Sequence, residues 1–87
     1  MTKHLVYVEG KAQRQFKRVP AIDQARILDA LGTLEKEGLL ARLDIKKLKG
    51  FQRHYRVRVG DYRIRFEFSA DLTIVVYSIS SREKAYE

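Results

Sequence analysis

The 87-residue chain has no cysteine, no tryptophan, a single proline and no long apolar run. Without cysteine it has neither disulfides nor thiolate metal ligands, which for so small a protein is typical of the cell interior. Its two histidines, His4 and His54, do not make a zinc site by themselves. The apolar run at residues 5–8 is followed by Glu9 and is too short for a signal peptide or a membrane span. We therefore expect a cytoplasmic protein with no metal, no cofactor and no membrane segment.

Acidic residues are scarce between residues 46 and 65. The whole chain has 18 Lys or Arg against 11 Asp or Glu, but this segment holds eight basic residues and one acidic residue. The charges of the two flanking segments cancel each other, so the net charge of +7 resides in this block. Such a block attracts polyanions, because each phosphate that it neutralises releases condensed counterions. RNA, DNA and an acidic protein partner are all compatible with the pattern.

The first half of the chain predicts one strand and two helices. Residues 5–8 form a short β-rich run, and in residues 11–19 Ala12, Phe16 and Val19 follow the spacing of an amphipathic helix. Pro20 separates this helix from a second one over residues 21–37, for which Gly38 is the expected C-terminal cap. Residues 39–50 are interpreted as a loop. The length of the chain supports one core, and so a single domain over residues 1–87.

The second half changes to the period of strands. Polar and apolar residues alternate over residues 52–59 and again over residues 62–68, and Gly60 and Asp61 between them predict a two-residue hairpin turn. The run at residues 72–79 is apolar on both faces, as expected for an interior strand. Together these elements predict an α+β fold, β-α-α-β-β-β, with two N-terminal helices on one face of a small, mainly antiparallel four-stranded sheet. The expected order is second, third, fourth and first strand.

The hairpin register predicts four arginines on one sheet face, which the helices leave open to solvent, with the bulky apolar residues on the other face. These four are Arg56, Arg58, Arg63 and Arg65. A solvated strand face is the simplest interpretation, but four like charges on neighbouring strands repel one another unless an anion binds. Arginine also suits phosphate, because its planar fork binds two oxygens at once. Lys46, Lys47 and Lys49 either extend this phosphate-binding surface or belong to a solvated loop. His54 lies on the same predicted face, where it could carry a proton.

The segment LKGFQRHYRVRVGDYRIRFEF, the apolar strand after it and the terminal SSREKAYE resemble the second half of the RelE toxins of the RelE/ParE superfamily. The preceding strand and helix pair resembles the first half, so the resemblance covers essentially the whole chain. It implies a RelE-like fold and a type II toxin that is a metal-independent, ribosome-dependent endoribonuclease. Such a toxin cleaves mRNA in the A site, inhibits translation and is held in check by a cognate antitoxin.

The resemblance also assigns catalytic residues. They are Arg56, Arg58, Arg63, Arg82 and Tyr86. The charge pattern, and not the resemblance, assigns RNA binding to Lys46, Lys47, Lys49, His54 and Arg65. Some relatives carry lysine on the first hairpin strand where this chain has arginine, and arginine is a very poor general base. The base therefore stays open among Tyr86, Lys49 and His54. Two other functions stay open as well: a ParE-like, non-enzymatic gyrase inhibitor and a non-catalytic RNA-binding module.

Overall fold

A computed structural model describes residues 4–50, 52–69 and 71–81. Within these residues the chain forms two α-helices, one short 3-10 helix and five strands. In chain order they are β1 (Leu5–Val8), α1 (Gly10–Lys17), α2 (Ala21–Glu37), the 3-10 helix (Gly38–Leu40), β2 (Asp44–Lys47), β3 (His54–Val59), β4 (Tyr62–Phe68) and β5 (Thr73–Ser81). The predicted α+β architecture is confirmed, with one additional strand.

The strands form a single sheet in the order β1-β5-β4-β3-β2. β1 pairs parallel to β5, and the remaining neighbours are antiparallel. β5 lies between β1 and β4 and is therefore an interior strand, as its apolar residues on both faces predict. The predicted order of the other strands is also confirmed, since β2 adds to the free edge of β3 without disturbing it.

The prediction of a loop over residues 39–50 was wrong, because Asp44–Lys47 is β2. This strand pairs with β3 in a register that sets Ile45 opposite Val57 and Lys46 opposite Arg56. The prediction that β3 starts at residue 52 was also wrong: residues 52 and 53 form a turn, and Arg53 has a φ of 63°. The turn brings the chain back from β2 into β3, which requires the positive φ.

The core lies between the helices and one face of the sheet. Val57, Ile64 and Phe66 from the β3–β4 hairpin are fully buried there, together with Ile27 and Leu34 of α2. Gly38 is the C-cap of α2, as predicted, and its φ of 60° lies in the region that favours glycine. Neither α1 nor α2 is long and apolar enough to cross a membrane.

His4, which carries no predicted role, packs at this end of the core. Its ring meets that of Phe68 edge-on with centroids 5.3 Å apart, and a Cβ at Gly38 would come within 2.5 Å of it. Glycine at position 38 therefore serves both the helix end and the packing of His4, just before β1.

A basic sheet face as the candidate functional site

The β3–β4 hairpin brings the four predicted arginines together. Arg56 lies opposite Arg65, and Arg58 opposite Arg63, in the antiparallel register that Gly60 and Asp61 close. Residues directly opposite in such a register share a face of the sheet, so the four side chains form two adjacent pairs of like charge. Since Val57 and Ile64 between them are fully buried on the helix side, the arginines project from the opposite face. We call this surface the basic face.

The four arginines differ in exposure. Arg58 is exposed and Arg63 and Arg65 are half-buried, but the side chain of Arg56 is only 12% exposed. Arg56 Nη1 lies 3.4 Å from Asp44 Oδ1 and donates a hydrogen bond of 3.2 Å to the Asp44 carbonyl oxygen. The expectation that the whole face is open therefore fails for Arg56, because β2 runs alongside it. Asp44 holds this guanidinium in place and offsets part of its charge.

The basic residues before the hairpin lie beside this face. Lys46 and Lys47 lie on β2 rather than in a loop, and Lys49 lies in the turn that follows. All three line a cavity of about 290 Å³ on the sheet. The remaining residues around it are Leu48, Arg56, Arg63 and Arg65. Six basic residues thus line one depression, although Lys47 lies opposite Tyr55, which packs against the core, so the register turns its side chain toward the helix face. The other five basic residues make the depression a suitable site for the phosphates of a polynucleotide.

A second cavity, of about 440 Å³, continues from the first along β3, β4 and β5. It contains His54, whose Nδ1 lies 3.0 Å from the hydroxyl oxygen of Tyr77. The two rings meet edge-on with centroids 5.4 Å apart. Burial raises the pKa of Tyr77; Arg65 opposes this shift and Glu67 adds to it. The predicted face position of His54 is thus confirmed, and its partner is a tyrosine that sequence reasoning missed.

Two predicted catalytic residues, Arg82 and Tyr86, lie outside the described residues. β5 ends at Ser81, with Ser80 opposite Arg63 and Ser81 opposite Tyr62. Tyr62 itself packs against the core, as its alternation predicts.

The chain is similar to known proteins over nearly its whole length. Residues 6–86 match the profile of a family described as the ParE toxin of the type II toxin–antitoxin system parDE. Toxin RelE3 of Methanocaldococcus jannaschii is 34% identical over 85 residues, which cover 98% of this chain and 85% of that protein.

Solved structures agree with these sequence matches. The RelB–RelE antitoxin–toxin complex of Methanococcus jannaschii contains a chain that is 32% identical, with a TM-score of 0.80, and the match covers 92% of this chain and 94% of that one. The archaeal RelE–RelB complex of Pyrococcus horikoshii OT3 gives 25% identity and a TM-score of 0.81, covering 97% of this chain and all of the matched chain.

Proposed function

This chain belongs to the RelE/ParE superfamily of type II toxin–antitoxin toxins, and we propose that it is a ribosome-dependent endoribonuclease that cleaves mRNA in the A site. The observation that carries the proposal is the pairing of Arg56 with Arg65 and of Arg58 with Arg63 on one sheet face. Adjacent like charges cost stability in the free protein, and this cost is offset when an anion binds between them. The phosphate backbone of mRNA is such an anion.

The chemistry needs no metal when the 2′-OH of the RNA is the nucleophile. The 2′-oxygen forms a bond to phosphorus, the bond from phosphorus to the 5′-oxygen breaks, and the products are a 2′,3′-cyclic phosphate and a 5′-OH. The 2′-OH proton passes to a base, and an acid protonates the leaving oxygen. Arg56, Arg63 and Arg82 are suited to stabilise the charge of the phosphorane, and Arg58 to hold the adjoining phosphate.

The general base is to be sought among Tyr86, Lys49 and His54. Lys49 lines the basic cavity itself, whereas His54 lies in the neighbouring cavity with one ring nitrogen engaged by Tyr77. Tyr86 is also suited to stack on a base or to orient the 2′-OH. These side chains are weak acids and bases. Such groups are expected in an enzyme that depends on the ribosome to orient its substrate.

A cognate antitoxin is the expected protein partner, and the solved relatives above are complexes of toxin with antitoxin. We propose a partner with an acidic, amphipathic helical segment. It would cover the helix pair or displace the region of Arg82 and Tyr86. The helix side offers an apolar groove of about 350 Å³, lined in part by Phe16, Leu28 and Leu31. The toxin itself would act in the cytoplasm, where mRNA and ribosomes meet.

The proposal is tested by inducing the protein in growing bacteria and mapping the 5′ ends of mRNA. We expect cuts in phase with codons, each leaving a 2′,3′-cyclic phosphate on the upstream fragment. Arg63→Ala should lower cleavage by about 10²–10³-fold, as expected when one donor to a transition-state anion is removed. Arg14→Ala is the matched control, because it removes an exposed arginine from α1 on the helix side. Uncut mRNA in induced cells would contradict the proposal.

The ParE-like alternative has one specific observation in its favour, namely the description of the matching family profile. A gyrase inhibitor would induce the DNA damage response and leave mRNA ends unchanged. The same induced cultures therefore separate the two functions when a damage-response reporter is read in parallel. If mRNA cleavage is lost in Arg63→Ala and kept in Arg14→Ala, the result supports a ribonuclease over a gyrase inhibitor.

A further inference from the structure

The cavity beside the basic cavity has a different lining. Around it lie Leu48, His54, Arg65, Glu67, Val75 and Tyr77, a set that combines apolar and aromatic surface with a carboxylate and an imidazole. Leu48 and Arg65 also line the basic cavity, so the two depressions share a wall. A nucleotide whose phosphate rests on Arg65 therefore has its base within reach of the second cavity. Its volume of about 440 Å³ is within the usual range for small-ligand pockets.

Tyr77 borders this cavity at an irregularity in the sheet. Phe66 pairs with Val76 and Arg65 with Ser78, so Tyr77 is the extra residue of β5 at a shift in register. Tyr77 follows Val75 by two residues, so the alternation of β5 places both residues at this cavity. Bulges are frequent next to functional sites. The phenol reaches across β4 to His54 on β3, and the hydrogen bond between them fixes both rings. The cavity wall is thus held in place before any ligand arrives.

Glu67 supplies the carboxylate of this cavity. It lies directly opposite His54 and beside Val75 in the sheet, and its charge raises the pKa of Tyr77, which places the carboxylate near the phenol. An ionised carboxylate only accepts hydrogen bonds. It therefore favours a base that presents an amino group, as cytosine does at N4, and it disfavours uracil, which presents a carbonyl oxygen at that position.

We propose that this cavity is a nucleobase subsite in which Glu67 accepts a hydrogen bond from an exocyclic amino group and Tyr77 and His54 supply the aromatic wall. The inference rests on the proposed function in one respect, that the polyanion on the basic face is RNA. Stacking on aromatic side chains together with hydrogen bonds to base edges is the general way in which proteins read single-stranded RNA. The subsite gives the toxin a base preference of its own, independent of the ribosome.

The test uses the purified free protein and two nucleotides that differ in the group under question. Cytidine 5′-monophosphate and uridine 5′-monophosphate are titrated separately and followed by NMR, with the ring signals of His54 and Tyr77 as local reporters. We expect the cytidine nucleotide to bind about tenfold more tightly, which corresponds to ~1.4 kcal/mol. This comparison needs no variant, so it does not depend on whether any substitution is tolerated.

Glu67→Gln then assigns the preference to the carboxylate. A glutamine amide both donates and accepts, so it serves uracil as well as cytosine, and the tenfold difference should disappear. Glu9→Gln is the matched control, since Glu9 also borders this cavity but lies exposed between β1 and α1. It should keep the preference. Equal affinities in the wild type, an unchanged preference in Glu67→Gln, or an absence of shifts near His54 with both nucleotides would each overturn the subsite.

Failure of the subsite can be told apart from failure of the proposed function. If induced cells show phased mRNA cuts while the purified protein binds both nucleotides equally, the ribonuclease stands and the subsite falls. If the purified protein prefers the cytidine nucleotide but no mRNA is cut, the subsite stands as a base-binding site and the ribonuclease falls.

Discussion

The phenol of Tyr77 is partly buried, and this burial raises its pKa above the ordinary value of 10.0, although Arg65 partly opposes the shift. A raised pKa means that the folded protein holds the phenolic proton more tightly than the unfolded chain does. The stability that this proton contributes is complete below pH 10 and is lost as the pH rises through the pKa of the folded state. We therefore expect the free energy of unfolding to fall with pH in this alkaline range.

The measurement is urea denaturation of the wild type and of Tyr77→Phe at pH 8 and at several pH values above 10.0. Phenylalanine keeps the ring but has no proton to release, so the variant should lose less stability across this range. Tyr7→Phe is the control, because Tyr7 is 59% exposed on β1. If the free energy of unfolding fell equally with pH in the wild type and in Tyr77→Phe, ionisation of the phenol would have no effect on stability.

Some positions of single residues could be predicted from the sequence, and some contacts between residues could not. The positions of Arg56, Arg58, Arg63 and Arg65 follow from strand alternation, which is a local property of the sequence. The ion pair of Arg56 with Asp44 joins residues twelve positions apart, and it exists only because β2 pairs with β3. Alternation alone does not locate such a contact.

At the scale of elements, the hairpin was predictable and its neighbour was not. β3 and β4 carry a clear period of two on both sides of a Gly-Asp turn, so their pairing is determined locally. β2 has four residues and only Ile45 contacts the core, which leaves too short a pattern to distinguish a strand from a loop. Its strand state results from the free edge of β3, a tertiary cause. The extra residue of β5 at Tyr77 was also not predictable, because it lies in a continuous apolar run that shows no break in its pattern.

The hairpin turn predicts a contrast between two glycines. Gly60 has a φ of 59°, so Gly60→Ala forces a side chain into the left-handed region and should destabilise the protein by about 1 kcal/mol. Gly32 lies inside α2, where a Cβ would meet nothing within 4 Å. Gly32→Ala should therefore stabilise the protein by about 0.5–1 kcal/mol, because alanine is the better helix former.

Thermal unfolding of the two variants checks this contrast. For a domain of this size, a change of ~1 kcal/mol moves the Tm by about 4–8 °C. The Tm should fall in Gly60→Ala and rise in Gly32→Ala. A Gly60→Ala protein as stable as the wild type would mean that the turn relaxes without strain. The register of the arginine pairs would then have a cause other than the turn.

At the scale of the whole molecule, the net charge of +7 is divided unevenly along the chain, since residues 46–65 hold eight basic residues and one acidic residue. Six basic residues line one cavity, so the basic face should dominate the binding of single-stranded RNA. Each phosphate neutralised on a single strand contributes about −0.7 to the slope of log K against log salt concentration. Four engaged arginines predict a slope of about −2.8 by the same relation.

Comparing the slopes of two variants shows which surface binds the RNA, whereas an affinity measured at one salt concentration does not. Arg58→Ala removes an exposed cation from the basic face, so the slope should become shallower by about 0.7. Arg14→Ala removes the same charge from α1, so the net charge of the two variants is equal. If binding depended on total charge, both variants would show the same slope. If it depends on the basic face, Arg14→Ala keeps the slope of the wild type and only Arg58→Ala changes it, as fluorescence anisotropy across a salt series would show.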